Sequence, residues 1–370
     1  MPGRRVVVFG PAYLDRVLRV DRPLIDPALG PPLDQSVDGL CEFGTNPTLD
    51  LIDPSGYTIA VDLPDDWPGP TGTIRWKRPI RKGLRGPQFV RGLSWQDDLG
   101  GMGAGYAAAL NGRLYSALGP ETDPASQAIS RKLDEYGVDH HPIRVPGTPA
   151  DWTLLVTSGP YGDKLPIGFR GCHARLTRDS LVPWAEQRCD LRVVASLPNH
   201  LAAPLMFAPF AKTRFFAPAM RNIIDGHCDI LSFAAAIDIL SCNRREWEAL
   251  ETHAEVARHA SILIITDGPA GSTVWFTKPG HEFGRLHIPA FPRDHPPRDT
   301  NRAGEAFGST FVATLLDQGW NASTRVVEEG LIRMAAERAS AASALVLDRL
   351  DFGFPTTEEI DSALRTGRVG

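Results

Sequence analysis

The stretch Asp299-Thr300-Asn301-Arg302-Ala303-Gly304-Glu305-Ala306-Phe307 places small residues, one cation and one carboxylate just before a helix whose apolar face takes Phe307, Phe311, Thr314 and Leu315. A small-residue loop entering a helix leaves unpaired backbone N–H groups at the positive end of the helix dipole, and together these bind anions. Glu305 then has two readings. It complements the dipole, as acidic residues in first turns commonly do, or it acts as a base beside a bound anion. Arg302 bears on the choice, because a cation at the positive end of a helix is unfavourable unless an anion or acidic partner compensates it. A phosphate ligand would do so, which points to phosphoryl chemistry.

Two common phosphate signatures are missing. The apolar run Val6–Phe9 leads into Gly10-Pro11-Ala12-Tyr13 without GxGxxG, and no Gly-Lys dipeptide closes a Walker A loop. A dinucleotide dehydrogenase and a P-loop NTPase both recede. The run Gly100-Gly101-Met102-Gly103-Ala104-Gly105 follows Trp95-Gln96-Asp97-Asp98 rather than an apolar strand, so a flexible loop or close-packing glycines explain it without a ligand. Asn243 and Glu246 have the spacing of an N-cap and its capping-box partner. Asp267-Gly268-Pro269 reads as a turn after a strand, and Asp15 by itself as a turn residue. The ten histidines include no HExxH. Asp139-His140-His141 and Arg293-Asp294-His295 read as surface loops, and no protein-bound transition metal is assigned.

Taken in order, these motifs resemble the PfkB (ribokinase-like) carbohydrate and nucleoside kinase family over nearly the full chain. The family's Asp-Thr-x-Gly-Ala-Gly-Asp is similar to residues 299–305, with Arg302 in place of a glycine and Glu305 in place of the final aspartate. Gly10 and Asp15, the pair Gly100-Gly101, Asn243 with Glu246, and Thr266, Gly268 and Gly271 match further family motifs, and 353–356 resembles its C-terminal region. The resemblance implies an α/β fold, a ribokinase-like sandwich with a mostly parallel central sheet flanked by helices and a small β lid. It implies transfer of the γ-phosphoryl group of ATP, with Mg2+, to a hydroxyl of a sugar or nucleoside, and it admits a monovalent cation.

The resemblance also assigns roles. Glu305 is the general base, the Ala303, Gly304 and Glu305 amides form the anion hole, and Arg302 meets the terminal phosphates. Asp15, Gly100 and Gly101 bind substrate hydroxyls. Asn243, Glu246, Thr266, Gly268, Gly271, Asp299 and Thr300 lie along the nucleotide, with Glu246 reaching Mg2+ through water. Gly105 stands where family members often carry Asn, which removes one substrate hydroxyl contact. The 90 positions from Gly10 to Gly100 enlarge the lid over 37–99, which would extend a homodimer contact or cover a bulky substrate. The altered Arg302 and Glu305 keep a second reading open, a catalytically silent sugar- or nucleotide-binding protein of the same fold.

The elements that must position these residues follow an α/β rhythm. The non-alternating run at 5–10 reads as a buried parallel strand. Residues 26–87 are dense in Pro and Gly with short β-prone pieces at 57–61 and 73–76. A helix at 104–110, a turn at Asn111-Gly112, the strand Arg113–Leu118 and a helix facing inward through Ile129, Leu133 and Tyr136 come next, ended by Gly137. Further strands are expected at Trp152–Thr157, 191–196, 214–218, 237–241 and 261–266, and helices at 324–347 and 357–364. Alternation of this kind argues for a mostly parallel sheet covered on both faces.

Composition narrows the rest. The chain of 370 residues is 42% hydrophobic, enough for a large core, and is read as one domain over 1–370 with 37–99 inserted. A net charge of −5 sets up no field for a polyanion, so nucleic acid is a poor partner. Only six of the 39 basic residues are Lys, an Arg bias without a motif. The five cysteines lack a CxxC pair, which fits a reducing cytoplasm. No apolar run reaches 18 residues and no signal peptide opens the chain, so a cytoplasmic protein with no membrane partner is expected.

Overall fold

A computed structural model of the protein describes residues 3–22, 39–43, 48–52, 58–67, 72–76, 89–158, 164–298 and 300–370. In chain order the strands begin with β1 (Val6–Phe9), β2 (Tyr13–Val20), β3 (Gly39–Phe43), β4 (Thr48–Ile52), β5 (Thr58–Asp62), β6 (Gly72–Trp76), β7 (Phe89–Gly100), β8 (Arg113–Leu118) and β9 (His140–Arg144). They continue with β10 (Trp152–Thr157), β11 (Lys164–Phe169), β12 (Cys189–Ala195), β13 (Ala211–Ala217), β14 (Ile239–Asn243), β15 (Ile262–Thr266), β16 (Ser272–Thr277) and β17 (Phe283–Ile288). The helices are α1 (Met102–Leu110), α2 (Pro124–Glu135), α3 (Arg178–Ala185), α4 (Asn199–Phe207), α5 (Met220–Ile223), α6 (Arg244–Ala249), α7 (His253–His259), α8 (Ala303–Asp317), α9 (Glu329–Val346) and α10 (Thr357–Thr366). None of these is long and apolar enough to cross a membrane.

The chain forms two compact units, one from Met1–Ala12, Leu99–Ala150 and Gly171–Gly370, the other from Tyr13–Asp98 and Asp151–Arg170. The first unit holds a nine-stranded sheet in the order β17-β16-β15-β14-β13-β12-β1-β8-β9. Pairing is parallel from β15 through β9, and β16 and β17 add antiparallel at one edge. In β1, Val8 pairs with Val193 on one side and Leu114 on the other, and all four residues are buried. That is why the run is apolar without alternation: both faces of a parallel strand are covered.

Local signals set the helix ends. Asp123 accepts from the Ser126 N–H at 2.9 Å with Pro124 in the first turn of α2, while Ile129 and Leu133 are buried beyond it. Helix α8 buries Phe307, Phe311, Thr314 and Leu315, the expected face. A fully buried Arg192 on β12 donates to Ala185 O at 2.6 Å, Leu205 O at 2.8 Å and Ala208 O at 2.8 Å, closing the C-terminal ends of α3 and α4.

The second unit is an eight-stranded sheet, β11-β10-β2-β7-β5-β4-β3-β6, over a core of Leu18, Leu49, Leu51, Ile59, Val61, Leu154 and Val156. The Arg16 guanidinium pairs with Asp97 at 2.8 Å and lies 5.4–5.7 Å from the rings of Trp67, Trp95 and Trp152. Several expectations change here. Trp152–Thr157 belongs to this sheet, parallel to β2, and not to the large one. Asp15 lies within strand β2 rather than in a turn. His140 and His141 open the edge strand β9 instead of a loop, with His141 against Trp184 at 4.2 Å. Helix α9 starts at Glu329, after a short 3-10 turn at Ala322–Thr324.

Candidate active site

In open parallel sheets ligands meet the chain where strands end at their carboxyl edge. Strand β1 ends at Gly10, where an added Cβ would lie 2.8 Å from both Ala195 O and the Gly103 Cα. Gly101 has φ +97°, and a Cβ there would sit 2.4 Å from Pro11 O. The Ala104 N–H donates to the same Pro11 O at 3.2 Å. Close packing of backbone on backbone therefore accounts for Gly101 and Gly103, and it seats the start of α1 on the loop after β1. Gly100 closes β7 and is buried.

Strands β14 and β15 bring the next residues side by side, with Asn243 in register with Thr266. The Glu246 N–H donates to Asn243 Oδ1 at 2.9 Å, and the Asn243 N–H donates to Glu246 Oε2 at 3.0 Å. The capping box is thus present, and it fixes the Glu246 carboxylate at the strand end. The Arg244 guanidinium meets Asp267 at 3.2 Å, tying the start of α6 to the turn after β15. In that turn Gly268 has φ +51° and is exposed, and Gly271 has φ +91° with a would-be Cβ 2.2 Å from Ile288 O.

Helix α8 supplies the third group. Arg302 is its N-cap in the left-handed region, φ +67° and ψ −3°. The first intrahelical bond runs from the Ala306 N–H to Arg302 O at 2.8 Å, which leaves the N–H groups of Ala303, Gly304 and Glu305 without a carbonyl partner inside the helix. Ser343 Oγ donates to Ala303 O at 2.8 Å and holds that turn on α9. Gly304 is exposed, with space where a side chain would be. The Arg302 guanidinium lies 5.8 Å from the Phe352 ring. Thr300 is exposed ahead of the turn, and Asp299 lies outside the described residues.

Desolvation pushes the Glu305 carboxyl above its ordinary range, against a hydrogen bond from its own backbone N–H and the charge of Arg302. Desolvation also raises Glu246, opposed by the Asn243 hydrogen bonds, and the negative charge of Glu305 adds to the rise. The buried Tyr106 hydroxyl is held well above the usual phenol range, first by burial and then by Glu305, with Ser241 acting the other way. Glu305, Glu246 and Tyr106 therefore share one electrostatic neighbourhood. Tyr106 and Ser241 went unnoticed in the sequence. Their one signal is a large aromatic directly after Gly105 in a run of glycine and alanine.

The structure thus collects Asn243, Glu246, Thr266 and Glu305 around the ends of β14, β15 and the start of α8. Asp15 belongs to the second unit, half-buried on β2 in register with Thr153. A family model described as pfkB family carbohydrate kinase matches residues 91–358, most of the chain. The chain belongs to the pfkB family. No curated protein matches it in sequence. Among solved structures, this pfkB family chain is similar to a ribokinase from Giardia lamblia, at 16% identity and TM-score 0.64 over 98% of this chain and 99% of that one. A ribokinase from Thermotoga maritima gives 16% and 0.62 over 98% and 99%. A Burkholderia thailandensis nucleoside kinase in complex with inosine gives 16% and 0.61 over 98% of each chain. Likeness at this identity shows the ribokinase-like fold, and family membership supports a carbohydrate or nucleoside kinase. Kinases of this family use ATP, usually with Mg2+.

Proposed function

We propose that the protein transfers the γ-phosphoryl group of ATP to a hydroxyl of a sugar or nucleoside, with Glu305 as the base. The observation that carries this is the placement of Glu305. Its carboxylate stands half-buried in the first turn of α8, beside the N–H groups of Ala303 and Gly304. A carboxylate made more basic by burial accepts a hydroxyl proton more readily, and first-turn amides hold charge building on phosphoryl oxygens. In the step, the acceptor oxygen forms a bond to the γ-phosphorus, the bond from that phosphorus to the ADP oxygen breaks, and the acceptor proton passes to Glu305. Arg302 faces the transferring group, while Asn243, Glu246, Thr266, Gly268 and Gly271 line the nucleotide side. The family motif assigns acceptor hydroxyls to Asp15, Gly100 and Gly101.

Mg2+ fits the same residues on one physical ground. The negative charge of Glu305 raises the cost of ionising Glu246, and a divalent cation brought with the phosphates would relieve it. Glu246 would hold it through water, and the ion would neutralise charge on the phosphates.

The test is ADP release from ATP and Mg2+ with a panel of sugars and nucleosides, run beside thermal-shift measurements of ATP binding. Glu305→Gln should keep ATP binding and lose about 10²–10⁴-fold in transfer rate. Equal rates in parent and variant would remove Glu305 as the base. Saturable binding with no ADP release from any acceptor would favour the silent binder.

A further inference from the structure

We infer that Gly105 is a positioning residue for Glu305: the Glu305 side chain packs against the bare backbone at 105, and this sets where its carboxylate stands. The inference rests on Glu305 being the base. A Cβ at position 105 would come 3.0 Å from Glu305 Cγ and 3.4 Å from Glu305 Cβ, with Phe354 Cζ at 3.4 Å on its other side. The Gly105 N–H donates to Gly101 O at 3.1 Å inside α1, and Gly105 has no positive φ, so the backbone gives no reason for glycine there. Glycine in a helix interior is unfavourable relative to alanine. Its neighbour Gly103 differs, since a Cβ at 103 would strike the Gly10 backbone at 2.4 Å. At 105 the obstacle is the side chain of Glu305.

Moving the two helices apart would open close packing. One turn further along α8, a Cβ on Gly308 would lie 2.7 Å from the Tyr106 hydroxyl and 2.9 Å from Phe215, so α1 and α8 are already in close contact beside this point. A larger residue at 105 therefore moves Glu305. With Gly105 bare, the Glu305 Cβ and Cγ lie against α1. The longer side chain then keeps its carboxylate near the first turn of α8 instead of one methylene forward, in the space of the acceptor.

The test combines a melting cycle with a transfer assay. Gly105→Ala should lower the melting temperature or leave it flat in the parent, and raise it in a Glu305→Ala background, where the contact is gone and only the better helix propensity remains. Glu305→Ser serves if the alanine variant does not fold. With ATP, Mg2+ and ribose or inosine as probe acceptors, Gly105→Ala should lower kcat by roughly 3–10-fold with KM for ATP unchanged. The double variant Gly105→Ala/Glu305→Asp should recover much of that loss. An equal melting shift in both backgrounds, or a loss of kcat that the shorter carboxylate does not restore, overturns the inference. If the parent turns over no acceptor, the kinase reading fails, and the melting cycle alone still decides whether Gly105 sets the place of Glu305.

Discussion

Replacing Arg302 with glycine separates structural cost from function at the proposed anion site. Arg302 holds φ +67°, a left-handed conformation that costs a non-glycine residue about 1–2 kcal/mol. Its charge at the positive end of α8 adds roughly 0.3–1 kcal/mol. Glycine removes both, but it loosens the unfolded chain by about 0.4–1 kcal/mol and loses the contact with Phe352, worth about 0.5–1 kcal/mol. These terms offset to within about 1 kcal/mol, so a fall in melting temperature of Arg302→Gly beyond that would report the further contacts Arg302 makes. Function should change more. A lost charge-assisted contact to phosphate is worth about 1.5–3 kcal/mol, a factor of roughly 10–100 in KM for ATP or in kcat. The positive charge also lowers the Glu305 carboxyl, so its removal should move the acid limb of the pH–rate profile to higher pH. Steady-state kinetics across pH with parallel melting curves make the measurement. An unchanged ATP dependence with a clearly lower melting temperature would refute the reasoning and leave Arg302 as a structural residue.

Glu305 gives a stability signature that needs no acceptor. Its carboxyl is raised above the ordinary 4.5 by burial, so the folded state keeps a proton that the unfolded chain releases, and stability is lost as pH rises through that window. Melting temperatures of Glu305→Gln minus parent should therefore grow more positive from pH 4 toward neutrality, and a constant difference would contradict the burial. Asn243→Ala removes an N-cap and the acceptor of the Glu246 N–H, which should cost about 1 kcal/mol in urea unfolding and weaken ATP binding together. Arg192→Met leaves the buried Ala185 and Leu205 carbonyls and the part-buried Ala208 carbonyl without their donor, and should cost about 3 kcal/mol in the same experiment.

Much of the molecule is local enough to be written in the chain. The apolar run of β1, the small-residue entry to α8, the Asn243–Glu246 capping box and the glycine stop after α2 each depend on residues within one or two turns, where propensity and hydrogen bonding act directly. Sequence order of the motifs also carried the family, which the match over 91–358 bears out. Partner choice was not local. The alternation of Trp152–Thr157 tells which residues face inward but not which strand lies alongside, and it pairs with β2, a segment whose mixed Tyr, Asp and Arg hid its strand character.

By itself the sequence determined which residue types could do phosphoryl chemistry and which helix start would present them. Only the tertiary structure decided that Asn243 stands in register with Thr266, that Tyr106 and Glu246 share the surroundings of Glu305, and that Gly105 lies under its side chain. The reason is physical. Gly105 and Glu305 are two hundred residues apart in the chain, and desolvation and contact between them arise only when α1 and α8 pack together, a term that no local pattern contains.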